Sequence, residues 1–276
     1  MRNLKSKREI TQMRRAGLAV WQAHQIAAEL VRPGVTTGKI DAAVDEYYTE
    51  IGGFALFRNY PHGQRGKPAF PAVTCISVND EVVHGIPGPR VLEEGDVVSI
   101  DTGVRIDGWC GDAAITHPVG QVESEPAKLL EVTTGVLNLA IELLAVKKRW
   151  SEVAQEMAAY VSDHGFYTVE SFVGHGIGRE MHEDPQVPNF VNKTLRASGD
   201  FPIEPGLVIA VEPMVNIGTK RVKSMPDHWT QCTFDGKASA HFEHTIAITE
   251  EGPQPLTVGP TPEEENLGIL RKNTAT

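Results

Sequence analysis

The chain has 276 residues, of which 41% are hydrophobic and 22% charged, a balance that supports a large buried core in one or two globular domains. The formal net charge is −10, and beyond the first fifteen residues the basic runs are short, such as Lys147-Lys148-Arg149 and Lys220-Arg221, which argues against nucleic-acid binding. No apolar run approaches the ~20 residues that span a bilayer. The basic N-terminal stretch also lacks the apolar segment of a secretory signal, so a cytoplasmic protein is expected.

In chain order, Ile10, Met13, Gly17, Val20, Trp21, Ala27, Ala28 and Val31 recur at helical spacing and predict an amphipathic helix over ~7–31, ended by Pro33-Gly34. Thr36-Thr37 caps a second helix, ~38–51, closed by Gly52-Gly53. Residues 58–71 are rich in Gly and Pro and read as a loop. Strands are predicted at ~73–79, 96–106 and 109–116. A helix at ~125–145 leads into a further helix, ~152–163, capped by Ser151 and closed at Gly165-Phe166. Strands follow at ~168–173, 207–215, 229–234 and 241–249.

One line of sequence is written twice. Residues 92–101 (Leu-Glu-Glu-Gly-Asp-Val-Val-Ser-Ile-Asp) and 203–212 (Ile-Glu-Pro-Gly-Leu-Val-Ile-Ala-Val-Glu) align without a gap at a shift of 111. Each has a Glu, a turn Gly, an apolar run and one carboxylate. The helix closed at Gly165-Phe166 echoes the one closed at Gly53-Phe54, 112 residues earlier. No linker separates the copies. A single domain over 1–276 is therefore expected, with related halves at ~1–120 and ~121–276.

The two halves each deliver an acid, Asp101 and Glu212, from an apolar strand, where a carboxylate is costly unless something pairs with it. Asp107-Gly108 is a two-residue hairpin signal. Folding there sets Ile106 opposite Trp109, Gly103 opposite Asp112, and Asp101 opposite Ala114. Asp101 and Asp112 then share a face as diagonal neighbours and repel unless a cation bridges them. Glu243 lies in another apolar strand. His175 stands between Gly174 and Gly176, whose lack of side chains lets the backbone approach other strands or a ligand. One imidazole and four carboxylates suit divalent cations such as Mn, Fe(II), Co or Zn without choosing among them. Four carboxylates also neutralise two such ions, a pairing used in hydrolysis. Cys75, Cys110 and Cys232 form no CxxC and read as small buried hydrophobes in a reducing compartment.

Six segments carry a resemblance: Val-Asn-Asp-Glu-Val-Val-His-Gly-Ile-Pro (78–87), Ser-Ile-Asp-Thr-Gly (99–103), Asp-Gly-Trp-Cys-Gly-Asp (107–112), Gly-His-Gly-Ile-Gly-Arg-Glu-Met-His-Glu-Asp-Pro (174–185), Val-Glu-Pro-Met-Val (211–215) and Phe-Glu-His-Thr-Ile (242–246). With Arg-Pro-Gly-Val-Thr-Thr (32–37) they extend over most of the chain, which resembles the type I methionine aminopeptidases. That resemblance implies an α+β pita-bread fold, with two pseudo-symmetric αβ halves around a central antiparallel sheet. It implies an enzyme that removes the initiator Met from nascent polypeptides, near the ribosome, where the second residue is small. It also implies a monomer with two divalent metal ions (Co, Mn, Fe(II) or Zn), whose hydroxide attacks the scissile carbonyl.

By the same resemblance the metal ligands are Asp101, Asp112, His175, Glu212 and Glu243. Asp101 and Glu243 bridge the metals, and Glu212 doubles as proton shuttle. His84 contacts the backbone beside the scissile bond, and His182 donates to the carbonyl oxygen as the oxyanion forms. Phe70, Cys75, Met181 and Trp229 form the pocket for the Met side chain, with soft walls that suit a thioether. The chain departs from the family pattern in its longer loop before Cys75, where the habitual His has no clear counterpart. It departs again at Cys110, commonly His, and in a slightly extended segment 186–203. A proline-directed peptidase and a non-catalytic peptide-binding protein are the competing expectations. Retention of all five ligands and both histidines favours an enzyme.

Overall fold

The computed structural model describes residues 3–265 and 267–271. Helix α1 (Lys7–Leu30) starts with a capping box, in which the Ser6 hydroxyl accepts from Glu9 N and the Glu9 carboxylate accepts from Ser6 N, satisfying two donors that a helix start leaves free. Helix α2 (Thr37–Glu50) is capped by Thr36 as expected, and its chain turns at Gly52, φ 65°. Strands β1 (Phe54–Ala55), β2 (Thr74–Val78), β3 (Glu81–Val83), β4 (Val97–Ile106) and β5 (Trp109–Pro118) complete the first half. Asp107 and Gly108 both have positive φ, 51° and 78°, the signature of a tight primed turn. The β4–β5 register is the predicted one, with Ile106 opposite Trp109, Gly103 opposite Asp112 and Asp101 opposite Ala114.

The second half brings α3 (Ser124–Leu144), α4 (Trp150–Asp163), β6 (Tyr167–Thr168), β7 (Gly174–Gly176) and β8 (Glu183–Val187). After them come β9 (Val208–Val211), β10 (Met214–Asn216), β11 (Val222–Ser224), β12 (Gln231–Thr233), β13 (Ser239–His241), β14 (His244–Thr249) and β15 (Gly252–Pro255). Every strand pair among the described residues is antiparallel, so the architecture is α+β.

Several predicted boundaries are corrected. The strand expected at 207–215 is two, β9 and β10, separated by Glu212-Pro213, because Pro has no N–H for the ladder. The strand expected at 241–249 is likewise two, parted at Phe242-Glu243, although the register continues across the gap from Met214 opposite His241 to His244 opposite Val211. The strand at 168–173 shrinks to β6, and the one at 229–234 to β12. Ser151 does not cap α4, which begins one residue earlier at Trp150. The Asp200 carboxylate instead accepts from Ser151 N and Ser151 Oγ, each at 2.9 Å, and also pairs with Arg149. The cap comes from the extended 186–203 segment, out of reach of any local pattern.

The repeat is visible in the pairing. Phe54 of β1 lies opposite Arg105 of β4, and Tyr167 of β6 opposite Asn216 of β10. Arg105 and Asn216 keep the 111-residue shift, but the short strands and their turn glycines, Gly52 and Gly165, are shifted by 113. The helix echo expected at 112 is thereby corrected to the pair Gly52 and Gly165. The halves meet where Glu243 N donates to Ala114 O at 2.9 Å. On either side of that bond a threonine fastens the seam. The Thr116 hydroxyl donates to His241 O and accepts from His241 N, and the Thr245 hydroxyl does the same for Asp112. Helices α1 and α2 cover β2 and β4 through one apolar core, and α3 and α4 cover β9, β10 and β14 through another. Burial of these faces is the dominant stabilising term. The two sheets meet edge to edge along the seam, β5 against the segment of β13 and β14.

Candidate metal centre and substrate pocket

Asp112 of β5, His175 of β7 and Glu243 between β13 and β14 are buried and offer ligand atoms within 4.8 Å of one another. Glu212, just past β9, adds Oε1 at 3.7 Å from His175 Nε2. Asp101, in the middle of β4, is close enough to Asp112 and Glu212 for their charges to act on it. All five residues singled out in the sequence therefore come together, from both halves.

The electrostatics of this cluster are those of acids buried together. Burial raises the pKa of all four carboxyls, Asp112 to about 7. Repulsion adds to burial for Asp101, from Asp112 and Glu212, for Glu212, from Asp112, and for Glu243, from Asp112, Glu212 and Asp101. Asp101 Oδ1, Asp112 Oδ1 and Glu243 Oε1 are buried without a hydrogen-bond partner. Buried carboxylate oxygens left bare in this way are expensive unless a cation takes them. His175 donates from Nδ1 to Gly176 O, 2.9 Å. A carbonyl can only accept, so Nε2 keeps its lone pair, and burial lowers its pKa to about 3. A neutral imidazole beside four carboxyl groups is a donor set that fits divalent metal ions.

Glycine makes the placement of His175 possible. A Cβ on Gly174 would lie 2.3 Å from Ala210 O, and one on Gly176 2.2 Å from Asp184 O. His84 is held in a comparable way. Its own φ is 61°, a conformation that costs energy outside glycine. The next residue, Gly85, has no room for a Cβ against Ile76 O and is tied to β2 by Ile76 N to Gly85 O, 2.8 Å. Burial, then the neighbouring His182, lower the His84 pKa to about 4.

The cluster opens into a cavity of about 230 Å³. Phe70, Cys75, Met181 and Trp229 all line it, together with His84 and His182. Cys75 lies opposite Asp101 in the β2–β4 ladder, and the Phe70 and Trp229 rings meet edge to face at 5.3 Å. The three cysteines are free and buried, as expected. Cys110 donates to Arg179 O at 3.4 Å and shares the β5 face of Asp112, whose charge adds to burial in raising the thiol pKa to about 11.

Four contributors went unnoticed in the sequence. Tyr60 Oη lies 2.7 Å from His182 Nδ1, and Phe172 sets its ring 5.4 Å from that of His84. Neither has a local signal. His62, in the extended loop, packs its ring against Trp229 at 4.9 Å, giving this loop a histidine at the pocket rim. His241 brings Nε2 to 3.8 Å from Glu212 Oε2 and has no hydrogen bond there. Its spacing of two from Glu243 was the available clue.

Residues 11–250 match the model of metallopeptidase family M24. The chain is 44% identical over 255 residues to a methionine aminopeptidase of Clostridium perfringens, covering 92% of this chain and 98% of that protein. The crystal structure of methionine aminopeptidase from Thermotoga maritima superposes with a TM-score of 0.86 at 38% identity, covering 93% of this chain and 99% of that one. The prolidase from Pyrococcus furiosus, at 22% identity and TM-score 0.70 over 94% of this chain and 66% of its own, shares the fold alone. The expected pita-bread architecture is thus the one present.

Proposed function

The chain belongs to metallopeptidase family M24, among its methionine aminopeptidases, and we propose that it removes the initiator Met from nascent polypeptides whose second residue is small. The observation that carries this reading is one cavity lined both by acidic residues of the buried cluster and by the soft apolar wall of Phe70, Cys75, Met181 and Trp229. A thioether fits that wall, and the cluster lies where the first peptide bond would then be.

Asp101, Asp112, His175, Glu212 and Glu243 would hold two divalent ions. When bound, such ions supply Lewis acidity that lowers the pKa of water and polarises a carbonyl. The chain's own groups do the rest. Glu212 takes the proton of the attacking water and delivers it to the departing amine. His182 donates to the carbonyl oxygen as negative charge develops there, a contribution worth about 10²-fold or more in such sites. His84, neutral because it is buried, contacts the peptide backbone beside the scissile bond. Residues 1–276 act as one catalytic unit, a monomer in the cytoplasm, close to the ribosome where new N-termini appear.

The test is release of Met from a Met-Ala-Ser peptide by chelated protein, with Mn, Fe(II), Co and Zn restored one at a time. Activity that returns with a metal on this peptide, and not on an Xaa-Pro peptide, supports the reading. Cleavage of the Xaa-Pro peptide instead would make the chain a proline-directed peptidase.

A further inference from the structure

Beside the pocket lies a second, larger cavity of about 610 Å³, lined among others by Ala55, Leu56, Tyr60, Arg105, Met181 and His182. Tyr60, Met181 and His182 also line the small pocket. The two therefore adjoin, with Tyr60, Met181 and His182 common to both walls. The small pocket suffices for one Met side chain and the bond after it. The groove beyond has no role in that chemistry.

Its wall includes the edge of a sheet. Among the described residues β1 pairs only with β4, in the register Phe54 opposite Arg105 and Ala55 opposite Val104. The same register continues to Leu56, whose N–H donates to Gly103 O at 3.0 Å. Bonded and non-bonded pairs alternate along an antiparallel ladder. Ala55 is therefore at a non-bonded position, and its N–H and C=O point away from β4. An edge of this kind is a template for another strand. Phe54 is 61% exposed, with the Arg105 guanidinium 5.5 Å from its ring centre. The groove's charges cancel locally, since Arg105 pairs with Glu180 at 3.2 Å and Arg58 with Asp45. Nothing there selects an acidic or a basic ligand, whereas the Ala55 amide and carbonyl suit any peptide main chain.

We propose that this groove is an exit track for the substrate. Residues beyond the third run through it extended and add as a short strand to the free edge of β1, held through the Ala55 N–H and C=O. Recognition by main chain lets substrates of unrelated sequence share one track. The proposal rests on the aminopeptidase reading.

The experiment compares kcat/KM on Met-Ala-Ser with that on Met-Ala-Ser-Thr-Val-Thr, using metal-loaded wild-type protein. Two main-chain hydrogen bonds favour the longer peptide by about tenfold. N-methylation of the hexapeptide amides one at a time from the fourth to the sixth residue removes the advantage at one position and spares its neighbours, because the Ala55 C=O accepts a single N–H. Ala55→Pro, which lacks the outward N–H, flattens the length dependence and leaves the Met-Ala-Ser rate unchanged, while Ala55→Gly keeps both. Equal rates on the two peptides, or indifference to N-methylation at every position, overturns the proposal. So does a dimer in solution that Ala55→Pro dissociates, which would give the edge to a second copy of the chain. No Met release from either peptide with any metal would defeat the aminopeptidase reading and the track together. Equal release from both defeats the track alone.

Discussion

Tyr60 Oη lies 2.7 Å from His182 Nδ1, across 122 residues of sequence. The two rings meet edge to face with centroids 5.4 Å apart. The hydroxyl comes from the Gly/Pro-rich loop 58–71, and it engages the ring nitrogen that would otherwise be free to carry the proton. With the hydroxyl donating, Nδ1 accepts and the imidazole proton resides on Nε2. That is the tautomer in which His182 can donate to a developing oxyanion.

Tyr60→Phe should therefore lower kcat on Met-Ala-Ser about five- to tenfold, the worth of one hydrogen bond, with KM and metal content unchanged. Nitrogen NMR of labelled His182 should show an Nε2–H ring in the wild type and a mixed population in the variant. In combination with His182→Ala the Tyr60 effect should vanish, since it acts through that ring. Additive losses would place Tyr60 on a separate path.

His182→Ala and His175→Ala should fail differently. The first should lose about 10²-fold or more in turnover and retain its metal. The second removes the neutral Nε2 that faces Glu212 and should lose metal and activity together. Elemental analysis after gel filtration, beside kinetics, separates the two. Metal loss in His182→Ala would move that residue into the ligand set.

Removing the metal should make stability fall on the alkaline side. Asp112 is raised from 3.8 to about 7, and Asp101, Glu212 and Glu243 are raised as well. A raised acid holds its proton more tightly folded than unfolded. Its contribution is whole below 3.8 and is lost as pH rises through the folded value. Buried histidines away from the cluster act in the other direction. His24, lowered from 6.5 to about 4, contributes stability above 6.5 that is lost as pH falls through 4. The chelated protein should thus show a Tm that falls as pH rises above 6.5, where the buried histidines are neutral in both states and the raised acids act alone. Saturating Mn should abolish that limb and leave the acid one. Calorimetry across this range, with and without metal, checks it, and an alkaline limb indifferent to metal would contradict it.

The seam threonines should separate stability from metal binding. Thr245→Val leaves the Asp112 N–H and C=O without the hydroxyl that serves both, at a cost of about 1–3 kcal/mol. It should also weaken metal affinity, because Asp112 is then held less firmly. Thr116→Val breaks the matching bonds to His241 and should cost as much stability with a smaller change in affinity. Urea titrations and metal titrations of both variants give the four numbers needed.

Much of this was legible in the chain. The β4–β5 register follows from Asp107-Gly108 and alternation, and it sets Asp112 diagonal to Asp101. The 111-residue repeat located Asp101 and Glu212 in equivalent strands, and glycines on both sides of His175 announced a close approach that the structure shows at Ala210 O and Asp184 O. These signals are local, short in sequence and tied to backbone geometry. The cap of α4 was misread because Ser151 looks like a cap and the groups that act are on Asp200. Tyr60 and Phe172 escaped because a tyrosine in a Gly/Pro-rich loop and a phenylalanine before a short strand carry no pattern that points at a distant imidazole.

By itself the sequence determined the α+β order of elements, the doubled half and the residue types able to bind a metal. These depend on periodicity, turn chemistry and charge, which neighbouring residues express. The tertiary structure alone decided that the seam falls between Ala114 and Glu243, that the helix echo is displaced by two residues from the strand echo, and that a loop tyrosine meets His182. It also left the Ala55 edge open beside the pocket. The physical reason is that such contacts join residues across more than a hundred positions, where packing of two sheets, and no local preference, sets which groups come within hydrogen-bonding distance.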